Sequence, residues 1–144
     1  MLDLAIVLEL FFATLLGALI GLEREMKGKG AGFQTYALVC LGSYLFTIIS
    51  YALYQNFSGN LQESFDPGRI VQAIAIGVGF LGAGTIFKDS HGVQGLTTAA
   101  GLWVAAGIGV TVALHEYFIA LIVTFLVILI FVIFGIAERK IVKK

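Results

Sequence analysis

The chain has 144 residues, 59% of them hydrophobic and 12% charged, with nine basic residues balancing nine acidic ones. A soluble domain is ordinarily about a quarter charged, so the composition excludes that class, and a net charge of zero gives no electrostatic footprint for nucleic acid. A mean hydropathy of +0.99 in a chain of one-domain length points to the lipid bilayer instead.

Crossing roughly 30 Å of hydrocarbon takes about 18 or more apolar residues on a helix. Five such runs lie at about 4–22, 33–54, 70–87, 96–114 and 117–136. They predict an all-α integral membrane bundle of about five transmembrane helices, a single domain over residues 1–144. The first run follows Asp3 rather than a basic segment and is too long for a signal-peptide core, so it is expected to be retained.

In chain order, the first span carries Glu9, the one carboxylate well inside a hydrophobic run. At ~1.5 Å per residue it lies roughly 7–8 Å into the bilayer, where ionisation costs at least ~2.5 kcal/mol at full depth. A partner such as Arg69, from the same side, would offset part of that cost, and two readings stand: a rim carboxylate that reaches water, or part of a cation or proton site. Gly17 and Gly21 in "GALIG" are spaced for close helix packing. The first loop supplies Glu23, Arg24, Glu25, Lys27 and Lys29, followed by Gln34 and Thr35 as the second span begins. Cys40, the chain's single cysteine, is expected to be a small buried residue.

The stretch "QNFSGNLQESFDPGR" at 55–69 reads as an external loop. In it Asp66 is expected to cap the third span, with Pro67 in the first turn. That span contains a G-x-G-x-x-G at Gly77, Gly79 and Gly82. A dinucleotide fold would need a strand before it, a helix after it and an acid roughly 20 positions on. The segment in that place, Thr97 to Leu102, holds no acid, and "KDSHG" breaks any following helix. Small residues recur every fourth position at Ala75, Gly79 and Ala83, and again at Gly101, Ala105 and Gly109, with Gly77, Gly82 and Gly84 beside them. Packing is the favoured reading of these glycines; local unwinding along an ion path is the alternative.

The loop "KDSHGVQGLTT" offers Lys88, Asp89, His91, Gln94, Thr97 and Thr98. Only "HE" separates the last two spans, predicting a tight hairpin, and the bulky final span suits lipid contact. Spans three and four, rich in small residues, are expected to be central and span five peripheral. Eight of the nine basic residues fall on the side of the first loop, the 88–95 loop and the tail "ERKIVKK". The excess places the N-terminus outside and the C-terminus in the cytoplasm. The polar residues of that face read either as a solvated charge cluster or as a surface that docks a partner or senses a ligand. His91 and His115 are expected on opposite faces, and no HExxH or CxxC motif occurs. Glu23, Glu25, Asp66 and Asp89 are the carboxylates a hydrated magnesium ion would favour, but carboxylates alone define no metal site. No cofactor is implied.

Three ordered blocks, "GALIGLEREMKGKGAGFQTYALVCLGSYLF", "DPGRI…AIGVGFLGAGTIF" and "VQGLTTAAGLWVAAGIG", resemble the signature blocks of the MgtC/SapB membrane family, over about residues 14–110. The resemblance implies a multi-pass protein of the bacterial inner membrane, linked to magnesium limitation. In parts of the family it implies inhibition of the F-type ATP synthase. By motif match it singles out Glu23, Arg24, Glu25, Thr35, Asp66, Arg69, Lys88, Thr97, Thr98 and Trp103. The chain departs from the family pattern at Gln34, where an arginine is usual, and the C-terminal cytoplasmic domain of some members is expected to be absent. The reading that follows is a non-enzymatic membrane regulator acting through contacts with lipid-embedded partners or with copies of itself. The alternative is an ion transporter or channel subunit with a pathway through the glycine-rich spans, which five short helices could enclose only as an oligomer.

Overall fold

The computed structural model describes residues 4–61, 66, 68–90 and 92–142, without the side chains of 57–61, 138, 139, 141 and 142. Five helices account for most of it: α1 (Leu4–Met26), α2 (Phe33–Leu61), α3 (Gly68–Ala83), α4 (Leu96–Ala113) and α5 (Tyr117–Val142). Between α3 and α4 stand two short antiparallel strands, β1 (Phe87–Asp89) and β2 (Gly92–Gln94), in the register Phe87↔Gln94, Lys88↔Val93 and Asp89↔Gly92. Four helices among the described residues are long and apolar enough to cross a membrane: α1, α2 over Phe33–Asn56, α4, and α5 over Tyr117–Ala137.

The helix ends follow from local chemistry. α1 stops where Gly28 turns left-handed at φ +61. The amides of Gly28 and Lys29 then bond back to the carbonyls of Glu25 and Arg24, the paired bonds of a Schellman turn. α4 ends with the same pair of bonds, from His115 to Val112 and from Glu116 to Thr111. Here a histidine at φ +62 occupies the place glycine usually takes. At the start of α3, Asp66 Oδ1 accepts from the Gly68 amide at 2.8 Å.

α3 departs from the sequence reading. The apolar run was expected to stay helical to residue 87, but the helix ends at Ala83. Thr85 folds its hydroxyl back onto the Gly82 carbonyl at 2.8 Å, and the chain enters the hairpin. Sixteen residues span only about 24 Å. α2 departs in the other direction, continuing through the polar "QNFSGNL" that read as loop.

α4 is the centre, packed against all four other helices. Its Gly101, Ala105 and Gly109 are all buried. A Cβ at Gly101 would strike the Tyr36 hydroxyl and the Phe131 ring, and one at Gly109 the Cys40 carbonyl. In α1, a Cβ at Gly17 would lie 2.5 Å from the Tyr36 carbonyl oxygen, and one at Gly21 2.8 Å from Phe33 Cα. Backbones close up at Gly17, Gly21 and Gly109, while Gly101 makes room for the Tyr36 and Phe131 side chains. Cys40 is fully buried in the same contact. α5 turns Ala120, Thr124, Val127 and Phe131 inward and leaves its other faces exposed, the peripheral place expected of it.

The expected central place of α3 is corrected. It packs on α4 and more sparsely on α2. Its inward row is Ile74, Val78 and Gly82, one residue out of step with Ala75, Gly79 and Ala83. Gly82 meets Ala99 on α4, whereas a Cβ at Gly77 or Gly79 would find nothing within 4 Å. Gly79, Ala83 and Gly84 are exposed and Ala75 is half-buried. Small-residue spacing reports where backbones can approach closely, and on α3 that smooth row is not the one the chain covers.

Candidate functional site

The last turn of α1 and the residue just beyond it bring Glu23, Arg24 and Lys27 to one end of the bundle. Arg24 points inward between α4 and α5, only 5% exposed. Its Nη2 donates to Thr98 Oγ1 at 2.9 Å, and its guanidinium lies 4.4 Å from the centre of the Phe131 ring. Nη1 stands 3.6 Å from Glu23 Oε2, and Lys27 pairs with Glu23 Oε1 one turn on. Lys27 Nζ also donates to the Phe131 carbonyl at 2.8 Å, passing beside Gly135. The first turn of α4 is held from another side, where the Tyr36 hydroxyl donates to the Thr98 carbonyl at 3.0 Å.

A planar cation stacked on an aromatic face and bonded to a hydroxyl is a task for arginine rather than lysine. The arrangement ties together α1, α2, α4 and α5 where they leave the apolar core. Both Glu23 carboxylate oxygens and Arg24 Nε are buried without a hydrogen-bond partner of standard geometry, leaving the carboxylate to its ion pairs. Glu25, one residue on, faces outward, and its Oε2 accepts from the Phe33 amide at 3.2 Å, closing the loop between α1 and α2.

A second polar cluster sits at the other end. Glu9 is buried on α1, with Tyr44 of α2 donating to Oε2 at 2.8 Å. Tyr117, the first residue of α5, donates to Oε1 at 2.5 Å. His115 Nδ1 lies 3.0 Å from Oε1 and 2.9 Å from the Tyr117 hydroxyl. The expected partner of Glu9 was Arg69, and this is corrected. Arg69 is exposed at the start of α3, which packs on α4 and α2, while two tyrosines and a histidine reach the carboxylate.

The remaining residues singled out by sequence are dispersed. Thr97, Trp103, Lys88, Asp89 and Asp66 are exposed. Thr35, with Gln34, stands at one end of a cavity of about 920 Å³ between α2 and α3. This cavity continues past Gly42, Ser43, Ala73 and Gly77 to Ser50 and Ile70. His91 lies outside the described residues. No group of three or more His, Cys, Asp or Glu side chains among the described residues is arranged to hold a metal ion. Sequence reasoning missed Tyr36, Tyr44, Tyr117 and Phe131, because an aromatic in an apolar run reads as core until the fold shows what its polar atom meets; His115 was weighed only beside His91, not beside Glu9.

The sequence model of the MgtC family matches residues 10–140. The chain belongs to the MgtC family. It is 42% identical to protein MgtC of Salmonella typhimurium strain LT2 over 121 residues, covering 84% of this chain and 48% of that protein. Protein SapB of Bacillus subtilis strain 168 is 41% identical over 116 residues, 80% of this chain and 50% of its own length. YhiD of Escherichia coli K12, whose name calls it a candidate magnesium transporter, is 40% identical over 111 residues, 77% of this chain and 52% of its own. The chain thus spans about half the length of these curated relatives. No solved structure matches it. The MgtC-family match takes in the whole Arg24 cluster, whereas Glu9 lies one residue before it begins.

Proposed function

We propose that this MgtC-family chain is a non-enzymatic, multi-pass protein of the bacterial inner membrane that regulates another membrane complex, in a response linked to magnesium supply. On this reading the Arg24 end of the bundle faces the cytoplasm with most of the basic residues. The observation that carries the reading is the α2–α3 cavity. Its walls include Gly42 and Gly77, and around both a Cβ would find open space. Lipid offers no hydrophobic drive for helix pairing, so association rests on close backbone approach at such small residues. The chain uses Gly17, Gly21, Gly101 and Gly109 for its own packing, and on this reading Gly42 and Gly77 are left to a partner helix.

The F-type ATP synthase is the partner that the family resemblance favours. Co-reconstitution in liposomes tests it through ATP-driven proton pumping. Wild-type chain should lower pumping, while Gly42→Leu and Gly77→Leu, whose Cβ atoms would meet nothing within 4 Å and whose side chains add bulk at the cavity wall, should restore it. Equal inhibition by all three would remove the cavity from the mechanism, and no inhibition by wild type would remove this partner. The name of YhiD favours a second reading, magnesium transport. Magnesium flux into liposomes holding the chain alone, abolished by Glu9→Gln, would replace the regulator with a transporter.

A further inference from the structure

The Glu9 cluster has a geometry that packing does not require. Glu9 Oε1, His115 Nδ1 and the Tyr117 phenolic oxygen form a triangle with edges of 3.0, 2.9 and 2.5 Å. Three elements contribute: α1, the α4–α5 connection and the first residue of α5. The carboxylate forms the buried floor, its side chain 11% exposed, while the imidazole is 69% exposed and opens the triangle to solvent. Tyr44 donates to the other carboxylate oxygen and fixes its orientation, the role an outer hydrogen-bond partner plays behind a metal ligand.

The backbone adds a second observation. His115 is the one non-glycine residue with positive φ among the described residues, at +62. Glycine closes such a turn more cheaply, since left-handed backbone costs other residues about 1–2 kcal/mol. The chain instead places an imidazole there and directs Nδ1 at the carboxylate.

We propose that Glu9 Oε1, His115 Nδ1 and the Tyr117 oxygen form a three-donor site for a divalent metal ion of the zinc(II) class, with its fourth position open to water. Ligands about 2.0–2.2 Å from a tetrahedral ion stand about 3.3–3.6 Å from one another, so the 3.0 and 2.9 Å edges open by about 0.3–0.7 Å and the Glu9–Tyr117 edge by about 0.8–1.1 Å. On binding, Nδ1 presents its lone pair with the ring proton on Nε2, and the Tyr117 phenol, which donates to Glu9 in the metal-free site, releases its proton to solvent. Imidazole with oxygen donors suits zinc, copper or nickel, whereas magnesium demands octahedral oxygen and keeps its waters. The site is therefore independent of any magnesium-linked role and of the α2–α3 cavity.

The test uses the full chain in detergent micelles, freed of metal by chelation. Zinc(II) is titrated by calorimetry and cobalt(II) by its visible absorption. One zinc(II) per chain and a tetrahedral cobalt(II) spectrum are expected, both unmoved by a large excess of magnesium(II). His115→Asn keeps the left-handed turn and an N–H for Glu9 but lacks the imidazole, and should weaken binding at least ~10-fold. Tyr117→Phe keeps the ring, which packs edge-on against Phe12 at 6.0 Å, and should weaken it similarly. Absence of stoichiometric binding, unchanged affinity in both variants, or displacement by magnesium(II) would overturn the proposal.

Discussion

Placing the same methyl group at Gly17 and at Gly79 should move stability in opposite directions. At Gly17 the new Cβ would lie 2.5 Å from the Tyr36 carbonyl oxygen, 2.7 Å from Cys40 Cβ and 3.0 Å from the Tyr36 carbonyl carbon. Ordinary contact begins at 3.4 Å, so α1 and α2 must separate by 3.4 − 2.5 = 0.9 Å at that point. Two of the three atoms belong to backbone, which cannot swing aside. A gap of 0.5–1 Å forfeits about a quarter to a half of each dispersion contact across the interface, and overpacking generally costs about 1–3 kcal/mol. Backbone clash argues for the upper end. Alanine recovers about 1 kcal/mol of helix propensity, leaving Gly17→Ala destabilised by about 2 kcal/mol. At Gly79 nothing lies within 4 Å, so Gly79→Ala should be neutral or stabilised by up to about 1 kcal/mol. Equilibrium unfolding in mixed detergent micelles measures the difference, expected at about 2–3 kcal/mol. Values within ~0.5 kcal/mol of each other, the scatter of ordinary surface changes, would refute the assignment of buried and open glycine faces.

Other perturbations follow from the same geometry and the same assay. Arg24→Met strips Glu23 of one cation and Thr98 of its donor, and should cost about 3 kcal/mol; in a double-mutant cycle it should couple to Thr98→Val, and strict additivity would contradict the 2.9 Å bond. Tyr44→Phe removes one of the donors to the buried Glu9 carboxylate and should cost about 1.5–3 kcal/mol; an unchanged unfolding midpoint would count against that bond. Gly95→Ala meets both a left-handed backbone at φ +88 and the Thr85 carbonyl. It should destabilise by at least ~2 kcal/mol, and hydrogen exchange should quicken first in β1 and β2.

Much of the bundle was legible because a membrane helix announces itself by continuous apolar length. The same signal misplaced the end of α3, since "TIF" is as apolar in a strand as in a helix and periodicity cannot separate short runs. It also ended α2 early, because a helix that emerges from lipid can continue in polar sequence. Spacing identified Gly17, Gly21, Gly101 and Gly109 as small-residue positions, and the structure seats all four against neighbouring backbone or side chains. On α3 it selected a row one residue away from the buried one. For the polar clusters, the sequence named Glu9, Arg24 and Thr98 but not their partners. Thr98 lies 74 residues from Arg24, and His115 lies 106 from Glu9. Such pairings are set by which helices pack together, and one chain's residue order does not reveal that.

The shortness of α3 ties the protein to the mechanics of its lipid. A helix of about 24 Å falls roughly 6 Å short of an average hydrocarbon layer. For α3 to cross, either the bilayer must thin around it or the exposed Ile86 and Phe87 just beyond its end must be drawn inward. Each ångström of mismatch costs a fraction of a kcal/mol, so the whole shortfall amounts to something on the order of 1–3 kcal/mol. That is comparable to the single contacts that hold the bundle together. Acyl-chain length would thereby become a variable to which a spanning α3 responds, with thin membrane patches the places of least strain.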